Sequence, residues 1–124
     1  MICADTSSVV AYLEGEQGAD IAAVDRALDD RSLVLAAISI TELLSGPALT
    51  PASEAFVLGI PCLGITPGYW ERAGKLRQGL LRQGYRPKIA DTLIAQSCLD
   101  HDVPLITRDQ DFQAFQKLAG LRLL

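Results

Sequence analysis

Short apolar runs alternate along the chain with longer stretches in which apolar residues recur every three or four positions. Five runs predict strands: ICA at 2–4, SLVLAAIS from Ser32, IPCLGI at 60–65, VPLIT at 103–107 and GLRLL at 120–124. The first four are continuously apolar rather than alternating, which is typical of strands buried on both faces. The runs therefore predict a mostly parallel central sheet with helices on both faces.

The intervals between the runs have helical periodicity and helix boundary signals. The predicted helices are VVAYL after a polar cap, 18–30, 38–44, 52–58, 67–83, 88–102 and a short one marked by Phe112, Phe115 and Leu118. The apolar side of the 67–83 helix is expected to carry Trp70, Ala73, Leu76, Leu80 and Leu81, and Gly84 is expected to end it. Strands and helices alternate within 124 residues, so we predict a single α/β domain, 1–124, built as a three-layer sandwich.

Composition excludes several classes of protein. Hydrophobic residues make up 49% of the chain, which disfavours disorder, and no apolar run reaches the ~20 residues of a membrane span. The start MICADTSS lacks the basic and apolar regions of a signal peptide, so a cytoplasmic location is expected. Cys3, Cys62 and Cys98 form no C-x-x-C pair, so neither a zinc site nor a disulfide framework is indicated, and all three are expected to be buried. His101 is expected at a helix end.

The net charge of −4 conceals an uneven distribution of charge. Residues 1–70 contain nine acidic and two basic residues, whereas residues 71–90 contain six basic residues and the single acid Glu71. A basic segment beside an acidic remainder is typical of a nucleic-acid-binding surface. A solvated helix face explains the same pattern, so the charge distribution alone leaves both interpretations open.

Acidic residues follow the predicted strands at the points where the strands end. Asp5 comes directly after the first run, Glu42 lies in the first turn of the helix after the second, and Asp109 and Asp111 follow VPLIT. In an open parallel sheet, ligands bind beyond the carboxyl ends of the strands. These acids are therefore expected at one edge of the sheet. No clear strand precedes Asp91, so sheet geometry does not bring it there.

Each acid also has a structural explanation. Asp5, Asp91 and Asp109 fit helix caps, each worth about 1 kcal/mol, and Asp91 could pair with Lys88 instead. The residues from Ser39 to Glu42 fit the capping box S-x-x-E. Converging carboxylates, however, repel by about 1 kcal/mol per pair in water, and by more in a partly desolvated cleft. A divalent cation reverses that sign, and oxygen-only ligands favour Mg²⁺ or Mn²⁺ over zinc.

Four stretches of the sequence resemble the PIN-domain ribonucleases, and most of all the VapC-type toxins of type II toxin–antitoxin systems. They are ADTSSVVAYL, ISITELLSG, KIADTLIAQSCLDHDVPLITRDQDF and the ending GLRLL, and the helix ERAGKLRQGLLRQGY is also similar. Their order and spacing match the family almost from end to end. The chain departs from the family's pattern between Gly46 and Ile65, where many relatives have a longer pair of helices.

The resemblance implies a set of site residues. The family's acidic quartet, both catalytic and metal-binding, corresponds to Asp5, Glu42, Asp91 and Asp109. Thr6, Ser7 and Thr107 are expected to support the site, and Asp111 would be an outer ligand or a helix-start residue. Basic residues near the acids, which are candidates for contacts with substrate phosphates, are Arg82, Arg86, Lys88 and Arg108.

The resemblance also implies an activity and partners. The expected activity is that of a Mg²⁺- or Mn²⁺-dependent endoribonuclease whose cleavage of RNA leaves a 5′-phosphate and a 3′-hydroxyl. The expected protein partners are a VapB-type antitoxin and a second copy of the chain in a homodimer. The antitoxin would typically lay a helix across a groove and point a basic residue into the carboxylates.

Other functions fit the sequence less well. A PIN-type nuclease that processes RNA or acts on DNA remains an alternative to a toxin. A receiver-like signalling domain would need a phosphoacceptor aspartate after a middle strand, and IPCLGITPG contains none. A haloacid-dehalogenase phosphatase would need D-x-D after the first strand, where the chain has Asp5-Thr6-Ser7. A catalytically silent module would be expected to lack one of the four acids, and all four are present.

Overall fold

The computed structural model describes residues 1–124 as three short strands surrounded by helices. The elements in chain order are β1 (Ile2–Ala4), α1 (Thr6–Leu13), α2 (Ala19–Asp29), β2 (Leu33–Val34), α3 (Ala37–Leu44), α4 (Pro51–Leu58), α5 (Tyr69–Arg82), α6 (Ile89–His101), β3 (Leu105–Ile106), a 3₁₀ turn (Gln110–Phe112) and α7 (Gln113–Ala119). None of these helices combines the length and the apolar character that crossing a membrane requires.

The sheet is parallel and has the order β2-β1-β3, with Cys3 paired to Val34 on one side and to Leu105 on the other. The strands predicted at 60–65 and 120–124 are wrong in extent, because each is reduced to one parallel bridge at a sheet edge, Leu35 with Cys62 and Leu105 with Leu123. Proline has no N–H to donate, so Pro61 shortens the pairing on the first of these edges.

Side chains alternate between the two faces of the sheet, as the pleat requires. Cys3, Val34 and Leu105 enter a core that also contains residues of α5, α6 and α7: Leu80, Ile94, Cys98 and Phe115. Ala4, Leu33 and Ile106 enter a second core on the opposite face, with residues of α1 to α4: Val9, Val24, Leu43 and Val57. One core on each side of a central sheet confirms the predicted three-layer α/β sandwich.

Helix α5 ends as predicted but buries a narrower face than predicted. Gly84 follows it with φ of 90°, a conformation that glycine adopts without steric cost. Tyr69, Ala73 and Leu80 are buried along one stripe. Trp70 is 61% exposed and Leu81 is 41% exposed, so the expectation that they face the core is wrong. Each of them follows a buried residue by one position, which turns it about 100° away from the stripe.

The cysteines and the histidine have no shared site. Cys3 and Cys98 are buried as predicted, whereas Cys62 lies on the exposed edge segment, so its predicted burial is wrong. His101 is the last residue of α6, and its Nε2 lies 2.8 Å from the carbonyl oxygen of Gly64. The histidine therefore joins a helix end to the neighbouring loop.

Candidate active site

The carboxyl ends of β1 and β3 lie side by side at one edge of the sheet, because the two strands are paired in parallel. Asp5 follows β1, and its carboxylate is almost fully buried, with 3% of the residue exposed. Its Oδ2 accepts hydrogen bonds from the hydroxyl groups of Ser7, at 2.7 Å, and Thr107, at 2.9 Å. Two hydroxyls therefore hold one buried carboxylate in place at the sheet edge.

Three other aspartates form a cluster in which the carboxylate oxygens lie within 4.8 Å of one another. Asp91 comes from the first turn of α6, and Asp109 and Asp111 come from the chain that leaves β3. Asp91 and Asp109 are half-buried, whereas Asp111 is exposed. This spacing lets all three carboxylates reach a single cation.

The loop after β3 fixes Asp109 by two hydrogen bonds. Its backbone N–H donates to the Thr107 hydroxyl oxygen at 3.0 Å. Its Oδ1 accepts the backbone N–H of Asp111 at 2.9 Å and so caps the 3₁₀ turn, as the capping explanation of Asp109 predicts. The second carboxylate oxygen of Asp109 makes no hydrogen bond and is open to a ligand.

Helix capping does not explain the other acids. The side chain of Asp5 makes no capping bond to α1, and Asp91 forms no ion pair with Lys88. The predicted capping box is wrong, because α3 begins at Ala37 and Ser39 is buried inside it. Glu42 instead accepts a hydrogen bond from the Thr6 hydroxyl at 2.7 Å, which ties α3 to the start of α1.

Burial, with a smaller effect of neighbouring negative charges, raises the pKa values of Asp91 and Asp5. Burial, together with the negative charges of Asp5 and Asp109, raises the pKa of Asp91 to about 6, although Lys88 opposes the shift. Burial also raises the pKa of Asp5, and the hydrogen bonds from Ser7 and Thr107 partly offset that effect. Burial and neighbouring negative charges both disfavour the ionised carboxylate, and a bound cation would oppose both effects. The donor set, carboxylate and hydroxyl oxygens without histidine or cysteine, fits Mg²⁺ or Mn²⁺.

The structure divides the four predicted substrate contacts into two groups. Arg86 and Lys88 line a groove of about 430 Å³ that also includes Asp91 and Asp111. Arg82 lies on the other side of α6, in a separate groove between α5 and α6. Arg108 is bound to acidic residues of the chain itself. Its guanidinium donates to both carboxylate oxygens of Asp20, at 2.8 and 3.1 Å, and pairs with Glu16 at 3.3 Å.

Sequence reasoning missed one basic residue of the acidic groove. Lys117, on α7, lines the same cavity as Arg86 and Lys88. Its exposure could have been inferred from the sequence, because Lys117 follows Phe115 by two positions and so lies on the opposite face of a helix whose apolar side is buried. Its place beside the basic residues of the 71–90 segment could not be inferred, because position 117 is far from that segment in the chain.

Solved structures share this fold over nearly their whole length. The VapBC2 complex of Rickettsia felis bound to a promoter DNA fragment has a TM-score of 0.76 at 18% identity, covering 100% of this chain and 98% of the other. VapBC-5, a toxin–antitoxin family member from Mycobacterium tuberculosis, has a TM-score of 0.68 at 22% identity, covering 99% and 96%. FitAcB of Neisseria gonorrhoeae has a TM-score of 0.72 at 20% identity, covering 100% and 96%.

Sequence comparison identifies the family. No curated protein sequence matches the chain significantly. The family model described as the PIN domain matches residues 2–118, which include every acid of the site. PIN domains are nucleases. The chain belongs to the PIN domain family.

Proposed function

We propose that the chain is a Mg²⁺- or Mn²⁺-dependent endoribonuclease and acts as the toxin of a VapBC-type toxin–antitoxin pair in the cytoplasm. The observation that carries the proposal is the cluster of Asp91, Asp109 and Asp111, with mutual oxygen distances within 4.8 Å, in a PIN domain. Its position beyond the carboxyl ends of parallel strands is where α/β folds bind ligands.

The residues that would hold the metal are Asp91, Asp109 and Asp111, with Asp5 beside them. Burial, followed by the negative charges of Asp5 and Asp109, raises the pKa of Asp91, and a cation at that position would relieve the unfavourable charge density. A divalent ion supplies positive charge for a phosphate and lowers the pKa of water. Asp111 therefore enters the proposal as a ligand in addition to Asp5, Asp91 and Asp109.

The remaining residues position these groups and the water. Thr107 bonds the Asp5 carboxylate and the Asp109 backbone at once, so it sets the spacing of the two acids. Glu42 is exposed at the rim and is held by Thr6 at 2.7 Å, which suits it to orient a water molecule and accept its proton. The water oxygen bonds to phosphorus, the bond from phosphorus to the 3′-oxygen breaks, and that oxygen takes a proton. The products are a 5′-phosphate and a 3′-hydroxyl.

The test is cleavage of a panel of single-stranded and structured RNAs, with DNAs of the same sequences, in Mg²⁺, Mn²⁺ or EDTA. Asp5→Asn and Asp91→Asn are expected to abolish metal-dependent RNA cleavage. Asp102→Asn is the matched control, because it lies at the exposed opposite end of α6, about 16 Å along the helix from Asp91. Equal cleavage by wild type and both variants would identify a contaminant, and cleavage of DNA alone would favour the DNA-directed alternative.

A second surface supports the proposed protein partners. Trp70, Leu81 and Ile89 are exposed on a groove of about 630 Å³ between α5 and α6, and no acidic residue lines it. Exposed apolar patches of this kind mark protein interaction sites. We assign this surface to the homodimer and expect a VapB-type antitoxin as a separate partner, since the similar structures from Rickettsia felis and Mycobacterium tuberculosis are VapBC complexes.

Light scattering tests the homodimer. Trp70→Glu is expected to convert a dimer into a monomer, whereas Leu58→Glu, an equally exposed apolar residue at the end of α4, is expected to leave the mass unchanged. A monomeric wild type would contradict this assignment. The antitoxin is tested by co-expressing the product of a short adjoining gene, which is expected to co-purify with the chain and inhibit cleavage.

A further inference from the structure

The groove that begins at the acidic cluster continues between two segments of the chain. One wall is the loop from Tyr85 to Lys88, and the other is formed by the 3₁₀ turn and α7, from Gln110 to Lys117. Asp91 and Asp111, both members of the cluster, are the acids that line it. The rest of the lining is basic, amide or apolar.

The basic side chains of this groove are unpaired. Arg86, Lys88 and Lys117 form no ion pair. The arginines outside the groove that do pair, namely Arg72, Arg108 and Arg122, each contact an aspartate at 3.1 Å or less. In a chain with a net charge of −4, three neighbouring cations without partners are a local site for an anion. Their arrangement along a groove fits a chain of anions rather than a single one.

Lys117 lies further along the groove than the acidic cluster, which would hold a cation and, through it, a phosphate. It follows Asp111 by six positions, through the end of the 3₁₀ turn and the first part of α7, which corresponds to a rise of about 10 Å along these helices. That separation fits two successive phosphates of one strand, one held at the cluster through its cation and one at Lys117. Two amide side chains of the same lining, Gln110 and Gln113, offer hydrogen bonds to sugar and base groups.

We propose that this groove holds the RNA strand on one side of the scissile phosphate, with Arg86 and Lys88 on one wall and Lys117 on the other bonding successive phosphates. The proposal rests on the proposed nuclease function, since it assigns the substrate path of that same site. Lys117 acts as a phosphate contact remote from the reacting atoms, and it contributes affinity without taking part in the chemistry.

The test measures the affinity of a labelled single-stranded RNA, as a function of salt concentration, in EDTA so that no cleavage occurs. Lys117→Gln is compared with Lys75→Gln, which makes the same change of charge on an exposed position of α5 outside the groove. Loss of one phosphate contact is expected to reduce the slope of log K against log salt by about 0.7 and the affinity about 5-fold at 0.1 M salt. Lys75→Gln is expected to match wild type.

Binding of Mn²⁺ and metal-dependent cleavage are measured on the same variants, so that a failure of the groove proposal can be distinguished from a failure of the nuclease proposal. Lys117→Gln is expected to bind Mn²⁺ as wild type does and to cleave saturating RNA at the wild-type rate, with only KM raised. Equal RNA affinity for Lys117→Gln and Lys75→Gln would overturn the groove while leaving the nuclease intact. Lys117→Gln that keeps its RNA affinity but binds the antitoxin more weakly would also overturn it and assign the groove to an acidic protein segment.

Discussion

The Thr107 hydroxyl donates to Oδ2 of Asp5 at 2.9 Å, joining two residues that are 102 positions apart in the chain. The same hydroxyl oxygen accepts the backbone N–H of Asp109 at 3.0 Å. One small side chain therefore connects the exit of β1 to the exit of β3 and fixes the distance between two acids of the site. Because hydrogen bonds to charged groups are stronger than neutral ones, this contact is well suited to that role.

Replacing Thr107 by valine keeps the shape of the side chain and removes its hydroxyl. We expect Thr107→Val to lower the free energy of unfolding by about 1 to 2 kcal/mol, because the Asp109 N–H loses its acceptor and Asp5 loses one donor. Cleavage is expected to fall about 10-fold as the two acids lose their fixed spacing. Thr107→Ser is the control and should retain both properties, and equal behaviour of the two variants would contradict the positioning role.

The stability of the metal-free protein is expected to depend on the protonation of Asp91. Its pKa is raised from 3.8 to about 6 in the folded protein, so between these values the folded state binds more protons than the unfolded state. Stability contributed by this proton is present below about pH 4 and is lost as the pH rises through about 6. Urea unfolding in EDTA between pH 4 and 7.5 measures it.

Other groups titrate over the same range, so the informative quantity is the difference between wild type and Asp91→Asn. Asp91→Asn is expected to lack this loss and to be more stable than wild type near neutral pH, since it removes one of several repelling charges. Asp102→Asn should show the same dependence on pH as wild type, offset only by the loss of its exposed ion pair with Arg122. A wild-type curve parallel to that of Asp91→Asn across the whole range would show that the pKa of Asp91 is not raised.

Metal binding is expected to depend on Asp111 although that residue is exposed. Its carboxylate lies within 4.8 Å of those of Asp91 and Asp109, so Asp111→Asn should weaken Mn²⁺ binding about 10-fold or more. Calorimetric titration with Mn²⁺ measures this change, and Mn²⁺ should raise the Tm of wild type more than that of the variant. Unchanged Mn²⁺ affinity in Asp111→Asn would show that this aspartate is not a metal ligand and serves only in the 3₁₀ turn.

Arg108 is expected to stabilise the fold rather than bind substrate. Its side chain bonds Asp20 and the carbonyl oxygen of Gln17, and this pairing lowers the pKa of Asp20. Arg108→Gln should therefore lower the Tm, and Arg108→Lys should restore it only in part because lysine lacks the planar fork. The salt dependence of RNA binding should remain that of wild type. If Arg108→Gln instead weakened the salt dependence of RNA binding and left the Tm unchanged, Arg108 would be a substrate contact.

The sequence alone predicted the layers of the fold and most of the acids. Continuous apolar runs separated by helix-periodic stretches were sufficient for a parallel sheet covered on both faces, because both patterns follow from local geometry. Asp5 and Asp109 were predictable from their positions after strands. Asp91 was not, since no strand precedes it, and its place in the quartet came from the resemblance to PIN domains.

Only the tertiary structure decided what each side chain contacts. Asp111 joins the acidic cluster, Lys117 lines the groove, and Arg108 forms an ion pair with Asp20, because each of these contacts depends on chain segments brought together by folding. The same holds for Trp70, whose exposure depends on which face of α5 the fold buries, here the stripe of Tyr69, Ala73 and Leu80. The sequence determines the period of a helix and the end of a strand, whereas the partner of a surface charge is set by the packing of distant elements.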